Sequence, residues 1–256
     1  YPLEGYAPEI DVPKGAQIVD GPVEARKAAR EQLDHGADWI KVYMTHRSWV
    51  DEQGKLHSQP TLTLDEIKAV VDEAHGWGKK VACHAYNGIG LRRALDGGCD
   101  SIEHGLELDD AAISQMLKQG TWYVPTLSVY YYWWEPENTY GGKRDRARAN
   151  VHSPSFTKAL KAGVKIAFGT DVGGFPWKDS IAQEFGYMVK FGMTPMQAIQ
   201  AATSRAAELL DQQGKMGVIA PGAYADIIAV QGDPLQDVNV LKNVSFVMKD
   251  GTVFKQ

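Results

Sequence analysis

Four polar residues stand within or directly after short apolar runs: Lys41 in "GADWIKVY", His84 in "KKVACHA", His104 in "CDSIEHG" and Asp171 in "VKIAFGTD". Imidazoles are borderline-soft nitrogen donors suited to zinc and other first-row divalent ions. Either histidine alone also reads as a core residue with satisfied hydrogen bonds; two at the ends of consecutive strands point to a metal. Beside a metal, a carboxylate such as Asp171 can take a proton from bound water and hand it to a leaving group. Its alternative role is to cap the segment that follows. Lys41 is the odd member, because an ammonium among Trp39, Ile40, Val42 and Tyr43 of an apolar strand is costly unless paired, neutralised or chemically changed. It could pair with a buried carboxylate, or serve as a Schiff-base nucleophile with a desolvation-lowered pKa. As a neutral amine it could also add carbon dioxide to give an anionic carbamate able to bridge two metal ions. With His84, His104 and Asp171 at matching places, the carbamate leads. The other histidines carry less: His35 and His75 fall in or at the ends of helices, and His46, His57 and His152 fall in loops.

These side chains need elements to position them. Helical patterns cover "DGPVEARKAAREQLDHG", where Asp20 can cap and Gly36 ends the run, and "TLTLDEIKAVVDEAHGWG", with Thr63 and Glu66 spaced as a capping box. Further helices are expected at "GIGLRRALDGG", "DDAAISQMLKQG", "SPSFTKALKAG" and "TPMQAIQAATSRAAELLD", the last with Thr194 as cap and Pro195 in its first turn. Between them lie five strands: "DWIKVYM", "KKVACHA", "CDSIEHG", "TWYVPTL" and "VKIAFGTD", with residues 45 to 62 read as a polar loop. Such βα alternation predicts an α/β fold with a parallel sheet. Polar residues gathered at C-terminal strand ends match the active rim of a TIM barrel, and no Gly-rich phosphate turn supports the doubly wound alternative. From about Lys215 the pattern changes to short strands with turns, including the hairpin signal at Lys249–Asp250–Gly251–Thr252. We therefore divide the chain into residues 1–214, an α/β barrel portion, and 215–256, a small β unit that needs partner strands.

The chain has 256 residues, 44% hydrophobic and 23% charged, with a net charge of −5 and no block of like charges. That balance argues against a nucleic-acid surface, and no apolar run is long enough to span a membrane. Cys83 and Cys99 read as small buried hydrophobes rather than a disulfide framework. The opening "YPLEGYAPEIDVPKGAQIVDGP" has no initiating Met, signal peptide or obvious strand, so it reads as the interior of a longer chain and leaves the compartment unknown.

Taken in order, "GADWIKVY", "VVDEAHGWGKKVACHA", "GCDSIEHG", "YVPTL", "FGTD" and "PGAYADIIAV" resemble the amidohydrolase superfamily, in its imidazolonepropionase-related and Xaa-Pro dipeptidase (prolidase-like) branch. The resemblance runs from about residue 11 to the C-terminus. It implies a distorted TIM barrel with a small β-sandwich and a centre of two divalent metals, usually zinc. Lys41 would be the carboxylated bridging lysine of barrel strand four, and His84 and His104 on strands five and six would hold the second metal. Asp171 on strand eight would bind the first metal and act as acid and base. A metal-bound hydroxide would attack the amide of a peptide or N-acyl amino acid. Tyr86 is similar to a substrate-contacting tyrosine of the dipeptidase-like members; a core tyrosine is the equal alternative.

The chain departs from the family in lacking any His-x-His pair, the first metal's ligands, and in having only barrel strands four to eight. Five strands cannot close an eight-stranded barrel, so we expect an N-terminal segment or partner chain to supply the rest, and a homo-oligomer. The aromatic run after the seventh family strand, Tyr130, Tyr131, Tyr132, Trp133 and Trp134, could line a substrate pocket or pack against a subunit. Arg144, Arg146 and Arg148 read as a solvated helix face, with attraction of a substrate carboxylate as the alternative. Two other functional classes compete with a metal-dependent hydrolase: a Schiff-base aldolase-type barrel using Lys41, and a non-catalytic or assembly-dependent piece of such an enzyme.

Overall fold

The computed structural model describes residues 17–133 and 143–256; Trp134 of the aromatic run lies outside them. Helices and strands alternate as α1 (Pro22–Asp34), β1 (Trp39–Tyr43), β2 (Thr45–Val50), β3 (Leu56–Pro60), α2 (Leu64–Gly76), β4 (Lys80–Ala85), α3 (Gly88–Gly97), β5 (Ser101–His104), α4 (Asp110–Gln119), β6 (Trp122–Val124), α5 (Leu127–Tyr132), α6 (Lys143–Ala162), α7 (Gln183–Lys190), α8 (Pro195–Ala202), α9 (Ser204–Leu209), β7 (Ile227–Val230), β8 (Val244–Lys249) and β9 (Thr252–Lys255).

Strands β1, β4, β5 and β6 form one parallel sheet in that order. Register places Tyr43 beside His84, His84 beside Glu103, and Ala85 beside His104. The fifth expected strand runs along β6 but joins it through a short parallel bridge at Tyr123 and Ile166. Ala167 N–H donates to the Tyr123 carbonyl, while the next amide, Phe168, turns away to the Ala201 carbonyl. The result is an open sheet rather than a closed barrel.

Alternation along the strands separates two faces. Ile40, Val81, Cys83, Ala85 and Ile102 pack with Ala25, Leu33, Ile67, Val70, Leu91 and Ile113 of the surrounding helices in the main core. The opposite face is plugged low down by Trp122, Val124, Ala167 and Leu209, against which Trp39 packs. Lys80 closes the same end through the Leu209 carbonyl at 2.6 Å and Asp211 at 2.7 Å. The capping boxes at Thr63/Glu66 and Thr194/Gln197 form as the spacing predicts.

Several expectations are corrected. Gly21, not Asp20, caps α1, and its amide donates to Glu66 Oε1 of α2 at 2.7 Å. The last long helix divides at Thr203, which leaves helical φ/ψ and donates its hydroxyl to Ile199 O. Residues 45 to 62 are not a loop: β2 and β3 pair antiparallel around a turn in which Asp51 Oδ1 accepts the Gln53 and Lys55 amides. A polar composition hid that hairpin, since its inward residues include Thr45 and Ser48 as well as Leu56, all buried. Helix α6 runs on through Pro154 and carries His152, expected in a loop, and begins ten residues before the expected helix at Ser153. A proline ordinarily marks a helix boundary, which is why the sequence misleads here. Beyond α9, β7, β8 and β9 make a three-stranded antiparallel sheet.

Cys83 and Cys99 are buried hydrophobes, as expected, but they are also bonded to each other. The β4–α3–β5 crossover returns the chain beside itself and brings their Cα atoms to 6.1 Å, within the ordinary disulfide range. The closed loop spans a sequence separation of 16, so a Cys83→Ala/Cys99→Ala variant is expected to lose about 3 kcal/mol of stability. Urea midpoints of the two proteins, with alkylation and intact mass to confirm the wild-type bond, check this. An unchanged midpoint would remove the crosslink's role.

Candidate active site

The upper rim of the sheet is built from strained chain exits. His104, Thr126 and Asp171 end three successive strand segments, and all have positive φ, at 74°, 52° and 53°. Non-glycine residues rarely adopt this region without local compensation, and such strain gathers at functional sites. For His104 the compensation is visible. Its Nδ1 lies 2.7 Å from Thr126 Oγ1, while that hydroxyl lies 2.7 Å from the Pro125 carbonyl. A hydroxyl has one proton, and the carbonyl can only accept it. Thr126 therefore accepts from His104 Nδ1–H, which leaves the Nε2 lone pair free to act as a ligand or base.

His84 completes the pair. It is buried among Tyr43, Tyr86 and His104, with ring centroids 4.6, 4.5 and 4.4 Å away. Its Nε2 is buried and has no hydrogen-bond partner among the described residues. Burial, then the Lys41 charge, holds the His84 pKa well below its ordinary value. Burial and His84 do the same for His104. Both imidazoles are thus neutral at pH 7, the form that binds metal.

Lys41 lies on the open face of β1, not within packed core. Tyr43, two residues on along the same face, is 53% exposed. The expectation of a buried strand is corrected to a cup open above: water reaches Lys41 while protein surrounds its flanks. Desolvation by those walls lowers the lysine pKa, and the negative charges of Glu103 and Asp171 pull it back up. Among the described residues no carboxylate lies within ion-pair distance of Lys41, and Glu103 and Asp171 act on it through space. Asp171 faces the same cup, its pKa raised by burial and lowered by Lys41.

Tyr86 reaches the centre: its ring is 5.6 Å from His104 and 6.0 Å from Tyr130. Tyr130 projects from α5 to within 5.7 Å of His104. Trp133 sits higher, donating from Nε1 to the Gly174 carbonyl at 2.8 Å, in the turn after Asp171. Tyr131 does not line the cup; its hydroxyl donates to Ala149 O and its ring packs on Tyr187 and Phe191. The aromatic run is therefore divided between site and core.

Two participants, Glu103 and His152, escape sequence reasoning, and Arg148 is placed differently from the leading reading. Glu103 faces the cup beside His84, with Ser101 Oγ donating to it at 2.6 Å and burial raising its pKa. A charge inside "SIEHG" was the available signal. His152 lies in α6, fully buried, with its ring 5.1 Å from Tyr130 and its pKa taken by desolvation to about 3. Pro154 two residues on disguised it as a loop residue. Arg148 is not on a solvated face: its guanidinium lies over the Tyr86 ring at 5.2 Å and bonds Ser48 Oγ of β2. Only the hairpin's position, a hundred residues away in sequence, reveals that role.

A parallel β/α sheet with two imidazoles and a carboxylate at its C-terminal rim and a lysine within its first strand defines part of an open β/α barrel. The chain belongs to the amidohydrolase family, whose model matches residues 3–254. It is 34% identical over 248 residues to ochratoxinase of Aspergillus niger, covering 93% of this chain and 50% of that protein. To imidazolonepropionase of Nocardia farcinica it is 29% identical over 202 residues, 76% of this chain and 46% of the relative. Its structure superposes on a Xaa-Pro dipeptidase with bound methionine in the active site at a TM-score of 0.81 and 41% identity, covering 93% of this chain and 59% of the other. The chain spans about half the length of the curated relatives it matches.

Among the described residues no group of three or more His, Cys, Asp and Glu side chains is gathered closely enough to hold a metal. The donors that are present nevertheless suit one. His84 presents an orphaned buried Nε2, and His104 has its tautomer set to leave Nε2 free. No helix among the described residues is long and apolar enough to cross a membrane.

Proposed function

We propose that this chain carries half of the active site of a metal-dependent hydrolase that cleaves an amide bond in a peptide or N-acyl amino acid. The observation that carries the reading is the neutral His84–His104 pair, 4.4 Å between ring centroids, with the unpartnered His84 Nε2. When bound, a divalent metal, zinc by ligand type, supplies Lewis-acid polarisation of the carbonyl and ionisation of water. His84 and His104 hold it. Lys41, with its lowered pKa and its approach open to water, is suited to take up carbon dioxide, and as a carbamate it would supply an anionic oxygen ligand. Any further ligands that a two-metal centre needs would have to come from a segment or subunit beyond these residues. Asp171 shuttles a proton from water to the leaving amine, and the Tyr86 phenol steadies the developing oxyanion. Trp133 and Tyr130 border the substrate.

Metal content tests the reading directly. The purified protein is expected to hold at least one divalent ion per chain, and His84→Ala or His104→Ala to weaken zinc affinity at least 10–100-fold. Intact mass should show Lys41 heavier by one carbon dioxide when zinc is present. A metal-free wild type that takes up no zinc from solution ends the proposal.

A further inference from the structure

The chemistry proposed above leaves one buried acid unused. Glu184, in the first turn of α7, is 0% exposed. Its carboxyl oxygens are divided between successive amides at the start of α5. Oε1 accepts from Leu127 N–H at 2.8 Å and Oε2 from Ser128 N–H at 2.6 Å, and Oε2 also meets the Ser128 hydroxyl. A carboxylate offers only acceptors, so it suits the unpaired N–H groups of a helix start. The acid is itself held firmly: Phe185 packs on Phe168 with ring centroids 4.5 Å apart, and Met188, one turn on, is 0% exposed in the main core.

Those two amides ordinarily belong to another residue. Thr126 is the N-cap of α5, and a threonine there usually turns its hydroxyl onto the amides that follow. Here it makes no such bond. Its Oγ1 instead accepts from His104 Nδ1–H and donates to the Pro125 carbonyl, both at 2.7 Å. The backbone is displaced as well, with φ of 52° and ψ of 47° where a cap is extended. A β-branched residue in the left-handed region is an outlier, and it persists only where its surroundings over-determine it. The Pro125 carbonyl fixes Thr126 from one side, and Glu184 pins the two amides on the other.

We propose that Glu184 is a positioning residue for His104: it caps α5 in place of Thr126 and so frees the Thr126 hydroxyl to hold the proton on His104 Nδ1, which reserves Nε2 for the metal. The inference rests on the reading of His104 as a metal ligand, but its first readout needs no metal.

In the zinc-free protein labelled with ¹⁵N-histidine, long-range ¹H–¹⁵N spectra report which ring nitrogen carries the proton, and His104→Asn assigns the signals. The wild type is expected to show His104 protonated on Nδ1. In Glu184→Gln, whose amide keeps a single acceptor oxygen, Thr126 should swing back to cap α5 and the His104 proton should move toward Nε2. Glu184→Asp, one methylene shorter, should show the same change in smaller degree. Zinc affinity should fall about 10-fold in Glu184→Gln and about 10–100-fold in Thr126→Val. The double variant should be no weaker than Thr126→Val alone, because both substitutions remove one contact.

A folded Glu184→Gln or Glu184→Asp protein with the wild-type His104 tautomer would reduce Glu184 to a helix cap and overturn the proposal. So would zinc losses that add in the double variant, or a wild-type His104 protonated on Nε2. If the tautomer follows Glu184 but the wild type takes up no zinc, the metal-hydrolase reading fails while the positioning role stands.

Discussion

Asp171→Asn is expected to lower kcat about 10²–10⁴-fold on an N-acyl amino acid whose leaving group is a basic amine. The substitution is chosen for the backbone. Asp171 has φ of 53°, a region that Asn tolerates better than other non-glycine residues. Alanine would mix backbone strain with lost chemistry; asparagine keeps the turn, in which Gly174 N–H donates to the Asp171 carbonyl at 3.0 Å. What it removes is the proton carrier. If Asp171 delivers the proton to the departing amine, the defect should shrink for a leaving group that departs without protonation, such as a nitroanilide. Steady-state kinetics on the paired substrates measure this. A defect of the same size for both leaving groups would place Asp171 outside proton transfer and leave it a ligand alone.

Stability should depend on pH through Glu184. This α7 carboxyl is 0% exposed and caps α5 from a distance, accepting from the Leu127 amide at 2.8 Å and the Ser128 amide at 2.6 Å, and from the Ser128 hydroxyl. It thereby anchors the chain directly after Thr126, the residue that orients His104. Burial pushes its pKa up to about 7, against the Ser128 and Leu127 hydrogen bonds that pull it down. The neutral acid is accommodated because the Ser128 hydroxyl can reverse and accept its proton. A carboxyl whose folded pKa lies above its unfolded value binds more protons folded than unfolded between the two. Stability from this group is therefore highest below about pH 4.5 and is lost as pH rises toward 7. The loss is on the order of 3 kcal/mol, and above pH 7 it stays flat.

Urea midpoints at pH 5 and pH 8 report the effect, and Glu184→Gln should abolish that part of the difference. At pH 5 the variant is also expected to be weaker than wild type by about 1–3 kcal/mol, because its amide group leaves one α5 donor without an acceptor. A variant with the wild-type pH dependence would mean that Glu184 stays ionised throughout.

How much of this was legible beforehand follows from the range of each interaction. The helices, the main strands and the Thr63 and Thr194 caps are local, set by side-chain period and by residues three apart, so they can be read from a window of sequence. Lys41, His84, His104 and Asp171 stood out because a polar group in an apolar strand is anomalous wherever the strand is placed. Tyr86 was legible for its position beside His84, although only ring distances place it at the centre. The same logic would have found Glu103 had it been applied to every charge in "SIEHG".

What remained hidden was non-local. The β2–β3 hairpin carries Ser48 to an arginine a hundred residues on. His152 enters the core from a helix that runs through a proline, Glu184 caps a helix from 57 residues away, and the crossover brings two cysteines within bonding distance. None of these has a periodic or compositional signature. Each exists because the chain, once folded, must find partners for buried charges and unpaired amides. Sequence determined which residues could do chemistry and the elements that carry them; tertiary structure alone decided which partners orient them, since burial creates that demand and only proximity in space can meet it.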